Sequence, residues 1–141
     1  MTQFASSLVV RAPAPGLHEI TADVRAWLDA PDVADGLLTL FCTHTSASLL
    51  IQENAAPAAR RDLERYFAKV APEDPAVYEH GEEGPDDMPA HLRAAMTQTS
   101  VAIPVQAGRM MLGTWQGIYL FEHRRACPPR TIALHLIGDK A

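Results

Sequence analysis

Basic residues are scarce in this 141-residue chain: twelve Lys and Arg stand against seventeen Asp and Glu, giving a formal charge of -5. They occur as scattered pairs, not as a concentrated patch, which argues against a nucleic-acid surface. No apolar run approaches the roughly 18 residues that a spanning helix requires. The opening stretch "MTQFASSLVVRAPAP" has neither the basic start nor the long apolar run of a signal peptide. Only two cysteines are present, Cys42 in a strand-like run and Cys127 beside prolines, so neither a disulfide framework nor a CxxC metal knuckle can be built. Internal repeats and low-complexity tracts are missing as well. These absences lead us to expect a soluble, cytoplasmic protein with two reduced thiols, which binds neither nucleic acid nor membrane.

With 48% apolar residues, the chain has the size and composition of one domain with one core, spanning residues 1–141. Residues 3–11 read as a strand closed by the Pro13 and Pro15 turn, in which His18 also falls. Ile20, Val24, Trp27 and Leu28 recur at helical spacing, so "ITADVRAWLDA" reads as a short amphipathic helix. "GLLTLFCTH" and "SASLLIQ" read as two buried strands, joined as a hairpin or by a sharp bend. Asn54 is the expected N-cap of a helix in "AAPAARRDLERYFAKV", where Pro57 sits in the tolerated first turn. Leu63, Tyr66, Phe67 and Val70 form its apolar stripe, and Pro72 ends it. A polar connection then leads to a short helix over about 88–97, followed by β-rich segments at 99–105, 109–123 and 130–138. Strands that come in runs, with little room for repeated crossover helices, predict an α+β fold.

The stretch "EHGEEGPDDMPAHL", residues 79–92, carries two histidines, five carboxylates and two prolines in fourteen residues. It is either a solvated acidic loop or the rim of a site. His91 falls in the first turn of the short helix, where the dipole disfavours protonation and leaves an imidazole able to bind a metal. The same helix start offers free N–H groups to a phosphate. His44 ends a buried strand and runs into the hydroxyl-rich "TSAS". Three histidines from a strand end, a loop and a helix start can form an open three-ligand site: His44, His80 and His91. The alternative is a core His44 satisfied by Ser46 or Ser48, beside a merely wet loop. Asp87 can cap the helix and, four residues before His91, orient that ring. Asp86 is then the freer carboxylate. In "GRMMLGTWQGIYLFEH", Gly113 and Gly117 flank Trp115 and Gln116, which suits either a tight hairpin or a surface that stacks and hydrogen-bonds a flat ring. His18 and His135 read as surface or satisfied sheet histidines.

"THTSASLLIQEN", "HGEEGPDDMPAH" and "GRMMLGTWQGIYLFE", in this order, resemble three signature stretches of the YjbQ-type family, whose members are also described as secondary thiamin-phosphate synthases. The resemblance implies a single-domain sandwich of two mostly antiparallel sheets with about three helices, assembled as a homotrimer with sites near subunit interfaces. It also implies a divalent metal on histidines, matched here by His44, His80 and His91; zinc is the first choice, with magnesium, calcium or manganese as alternatives. Glu53 and Asn54 match an acidic-amide pair, while Trp115 and Gln116 match the GTWQ element. The implied reaction joins an aminopyrimidine diphosphate to a thiazole phosphate and releases pyrophosphate. His80 with Asp86 or Glu53 would be the catalytic candidates, and Ser46, Asn54, Trp115 and Gln116 the substrate contacts. A hydrolase or lyase of a small phosphorylated or heterocyclic metabolite, and a non-catalytic ligand-binding trimer, are the competing readings.

Overall fold

The computed structural model describes residues 1–141. Strand β1 (Thr2–Val10) is followed by β2 (Gly16–Glu19), helix α1 (Thr21–Leu28), β3 (Asp35–Cys42), β4 (Ala47–Glu53) and α2 (Pro57–Val70). After one 3-10 turn at Pro75–Val77 come α3 (Asp87–Met96), β5 (Ser100–Gln106), β6 (Arg109–Met110), β7 (Gln116–Glu122) and β8 (Arg130–Asp139). One sheet has the order β1-β8-β3-β5-β6, the other β2-β7-β4, and every strand pair is antiparallel. This is the expected α+β sandwich with three helices. No helix is long and apolar enough to cross a membrane.

The core lies between the sheets because strand alternation sends every second residue inward. Leu38, Leu40, Ile132, Leu134, Leu136 and Ile103 from the larger sheet meet Leu49, Ile118 and Leu120 from the smaller. Helix α1 adds Val24 and Leu28 from one face, at the i, i+4 spacing that its sequence shows. Both cysteines are buried free thiols.

The other face of the larger sheet is bare. Its rows, read across the register, are Gln3, Ile137, Leu37 and Pro104; then Ala5, His135, Thr39 and Ala102; then Ser7, Ala133, Phe41 and Ser100. None carries a charge, and His135 Nε2 is satisfied by Gln3 Oε1 at 2.9 Å.

Several local expectations change. The segment 16–19, read as a turn holding His18, is a strand, because Leu17–Glu19 pair with β7. Gly16 has φ +122°, and a Cβ there would stand 1.9 Å from the Glu64 carboxylate that accepts the Leu17 N–H at 2.9 Å. That contact ties α2 to the sheet. β3 and β4 are not a hairpin: they belong to different sheets, so the bend at 43–46 carries the chain across the core. Asn54 does not cap α2; Glu53 Oε2 accepts the N–H groups of Ala55 and Ala56 at 3.1 and 3.0 Å instead. Only Leu63 and Phe67 of the α2 stripe pack inward, against Leu17, Tyr119 and Phe121, whereas Tyr66 and Val70 stay exposed. The β-rich run 109–123 is interrupted by the Gly113–Gln116 turn, closed by Gln116 N–H to Gly113 O at 3.1 Å.

Candidate functional site

Helix α3 begins at Asp87, where Gly84 (φ +109°) turns the chain and Pro89, lacking an N–H, costs the first turn nothing. Its spacing puts Asp87 and His91 on one face, with Asp87 Oδ2 3.2 Å from His91 Nε2. The preceding loop folds back and brings His80 Nε2 to 2.8 Å from the same oxygen. One ligand atom from each of these three residues lies within 4.8 Å of the others.

Neighbouring groups fix two of the three, while His80 is held only through Asp87 itself. His91 Nδ1 lies 3.1 Å from the Thr45 carbonyl, to which it donates, so Nε2 faces Asp87. Asp87 is 1% exposed, and its other oxygen accepts from Arg124 Nη1 at 2.6 Å. Arg124 also donates from Nε to Asp86 Oδ2 at 3.1 Å and from Nη2 to the Glu83 carbonyl at 2.9 Å. It therefore pins the acidic loop to the end of β7.

Asp86, expected to be the freer carboxylate, is fully engaged as well. Burial works to raise its carboxyl, but the Arg125 N–H at 2.9 Å and the Arg124 guanidinium outweigh that and hold it below the usual carboxylate range. An acid held ionised in this way is a poor proton donor near neutral pH.

His44 does not join His80 and His91. Its Nε2 accepts the Thr131 N–H at 2.8 Å, so a neutral ring keeps its proton on Nδ1 and offers no lone pair to a metal. Burial pushes its pKa down, and the Arg130 charge adds to this. The place expected for His44 is filled by Asp87, whose anticipated role was to orient His91. His44 instead lines, with His91, a cleft of about 510 Å³ walled by Phe41, Ala94 and Ala95, with no Lys, Arg, Asp or Glu among its lining residues.

The other anticipated contacts lie elsewhere. Glu53 ends β4, with Asn54 just beyond it, and Gln116 begins β7, six residues along the ladder from the Ala47–Glu122 end near His91. At a rise of about 3.4 Å per residue this separates the two ends by roughly 20 Å. Trp115 is 62% exposed on the connecting turn. Ser46 meets the histidine end only through its carbonyl, which accepts from Arg130 Nη2 at 3.1 Å.

Three buried groups at this end were given no role by the sequence reading. Arg130 and Glu122, 3% and 1% exposed, make a two-pronged ion pair at 2.8 and 2.6 Å. His123, 2% exposed, has Nε2 2.9 Å from the Ser48 hydroxyl, which Thr97 contacts at 2.5 Å; its Nδ1 has no partner. Burial pushes the His123 pKa down to about 3, helped by the charges of Arg93 and Arg130. The one available signal for Arg124 was a pair of arginines directly after an apolar strand.

With this geometry in place, the comparisons with other proteins agree in one direction. The family described as "UPF0047 protein YjbQ-like" matches residues 7–139. The UPF0047 protein sll1880 of Synechocystis is 45% identical over 137 residues, covering 97% of this chain and 93% of that protein. The UPF0047 protein YjbQ of Salmonella typhimurium is 48% identical over 125 residues, covering 88% and 90%. Among solved structures, a YjbQ/UPF0047 family protein of Clostridium acetobutylicum superposes with a TM-score of 0.81 at 34% identity, over 95% of this chain and 99% of that one. A YjbQ-like protein of Sulfolobus solfataricus superposes with 0.89 at 22% identity, over 98% and 99%, which speaks for the fold alone.

Proposed function

The chain belongs to the UPF0047 YjbQ-like family, and from that premise we propose that His80, Asp87 and His91 hold a divalent metal that serves chemistry on a small ring-bearing metabolite in the adjoining cleft. The observation that carries this reading is the convergence of two imidazole nitrogens on one buried carboxylate oxygen, at 2.8 and 3.2 Å. Ligand atoms around one metal at bonds of about 2.0–2.2 Å stand roughly 3.0–3.5 Å apart, so little movement is needed. The Thr45 carbonyl on His91 and Arg124 on Asp87 are the kind of outer partners that orient metal ligands. Two imidazoles with one carboxylate suit zinc first, and manganese better than magnesium or calcium. Once bound, the metal would act as a Lewis acid on a leaving oxygen or an attacking water.

The chain's own groups favour hydrolysis or elimination over the synthase reaction. Phe41, Ala94 and His44 give the cleft an uncharged wall for a ring, and the Nδ1 proton of His44 can donate to it. The phosphate cradle expected at the start of α3 has little support: Asp86 and Asp87 are acidic, the Asp87 N–H donates to the Gly84 carbonyl, and Pro89 has none. Thiamin-phosphate synthesis therefore remains a secondary reaction in this reading. The pyrimidine would lie in the cleft and the pyrophosphate would depart toward the metal side. The three uncharged rows on the outer face of the larger sheet support association of copies of this chain as a homotrimer.

Metal analysis and zinc titration of the purified protein test the central claim. We expect one site per chain, lost in His80→Ala and His91→Ala but retained in His44→Ala. A wild type that takes up no divalent metal reduces the cluster to a structural ion-pair network. With metal bound, pyrophosphate release from an aminopyrimidine diphosphate, with and without a thiazole phosphate, separates hydrolysis from synthesis; no turnover in either case leaves the binding-module reading.

A further inference from the structure

At the far end of the β4–β7 ladder, a second cleft of about 440 Å³ lies between the Gly113–Gln116 turn, Asn54 and the first turn of α1. None of the three proposed metal ligands lines it.

Its polar groups are held in place by the protein itself. Glu19 Oε2 accepts from the Thr21 hydroxyl at 2.8 Å and from the Asn54 amide at 3.2 Å. Thr21 is 5% exposed and accepts in turn from the Ile118 N–H at 2.8 Å, which anchors the carboxylate to the sheet. Gly117 permits this arrangement: a Cβ there would stand 2.7 Å from Glu19 Oε2 and 3.0 Å from Asn54 Cβ. Gln116 Oε1 accepts the Gly113 N–H at 2.8 Å, leaving its NH2 group as a donor.

Arg25 lines the same cleft from the next turn of α1. Neither Arg25 nor Glu19 takes part in any of the molecule's ion pairs, so two opposite charges share one cleft without meeting. Met110 and Leu112 give the cleft an apolar wall.

A fixed carboxylate on one side and a guanidinium outside any ion pair on the other match a ligand that carries both charges itself. We propose that this cleft binds a small zwitterion of the α-amino-acid type with an apolar side chain. Its ammonium would lie on Glu19, its carboxylate on Arg25, and its side chain against Met110 and Leu112. The inference is independent of the metal reading, because the two sites share no residue.

Two-dimensional amide NMR of the full chain, titrated with L-leucine, N-acetyl-L-leucine and L-leucinamide, tests it. L-Leucine should shift the Gly113–Gly117 amides and the exposed Trp115 indole N–H saturably. Each blocked form should bind about tenfold or more weakly, the worth of one charge-assisted hydrogen bond. Arg25→Gln, at an exposed position, should weaken L-leucine by a similar factor yet leave L-leucinamide unchanged, and His91→Ala should leave both unchanged. No saturable shift up to about 10 mM, equal binding of the three compounds, or an Arg25→Gln variant that binds L-leucine as the wild type does would each overturn the proposal.

Discussion

Lowering the pH from 7 to 5 should weaken the fold by about 2 kcal/mol through His123 alone. Burial between β4 and α3 pushes this imidazole from 6.5 down to about 3, with Arg93 and Arg130 adding to the effect. The folded-state value is depressed, so the native ring stays neutral where the unfolded ring takes a proton. Below pH 6.5 the unfolded chain then binds more protons than the native one, and stability is lost from about 6.5 down to about 3. Over the 1.5 units from 6.5 to 5, at up to about 1.36 kcal/mol per unit, the loss comes to about 2 kcal/mol. Urea unfolding of wild type and His123→Gln at pH 7 and pH 5, at one protein concentration, isolates it. The variant can keep a hydrogen bond to Ser48, and every other titrating group is common to both proteins. Equal losses in the two proteins would refute the argument, because His123 would then protonate as easily folded as unfolded.

Further outcomes follow from the same contacts. Glu122→Gln or Arg130→Gln leaves a buried charge alone and should cost about 3–5 kcal/mol in chemical unfolding, whereas Glu122→Leu with Arg130→Met should cost less than either. Arg124→Gln frees both Asp87 and the 81–87 loop, and should weaken zinc binding about 10–100-fold in a competition titration. Ala133→Glu puts a charge in the middle of the bare face of the larger sheet; sedimentation should show a smaller assembly with unchanged far-ultraviolet circular dichroism.

Most of the fold was legible because its elements have strong local periods. Helices α1 and α3 were placed within two residues of their observed ends, and the strand positions follow the alternation of their apolar residues. What local pattern cannot reveal is partnership. Four residues, Gly16–Glu19, are too few to show a period and become a strand only because β7 lies beside them. The same limit hid the split of β3 and β4 between two sheets, since a hairpin and a crossing bend have the same sequence on either side. At the site, the i, i+4 spacing of Asp87 and His91 was visible, yet not which of His44 and Asp87 would face His80. That choice is made by the Thr131 N–H, 87 residues from His44, which occupies the imidazole nitrogen. Arg124 was missed for the same reason, because its carboxylate partners lie 37 and 38 residues earlier in the chain.

The antiparallel register of β4 and β7 explains why residues adjacent in the signature stretches part company in space. Pairing runs from Ala47 with Glu122 to Glu53 with Gln116, so the hydroxyl-rich start of one strand meets the charged end of the other. "THTSA" thus joins Glu122, His123 and Arg124, while "QEN" joins the Gly113–Gln116 turn. One short ladder thus holds apart two groups of polar residues that a linear reading had merged into one site. Phe41 sets the two ends apart further: it is 48% exposed, stands on the bare outer face of the larger sheet and also walls the cleft beside His91. Association through that face would cover one wall of the His91 cleft, whereas no residue named on that face lines the Glu19 cleft. Assembly through that face and chemistry at a metal held by His91 would therefore be coupled through Phe41, with the second cleft apart from both.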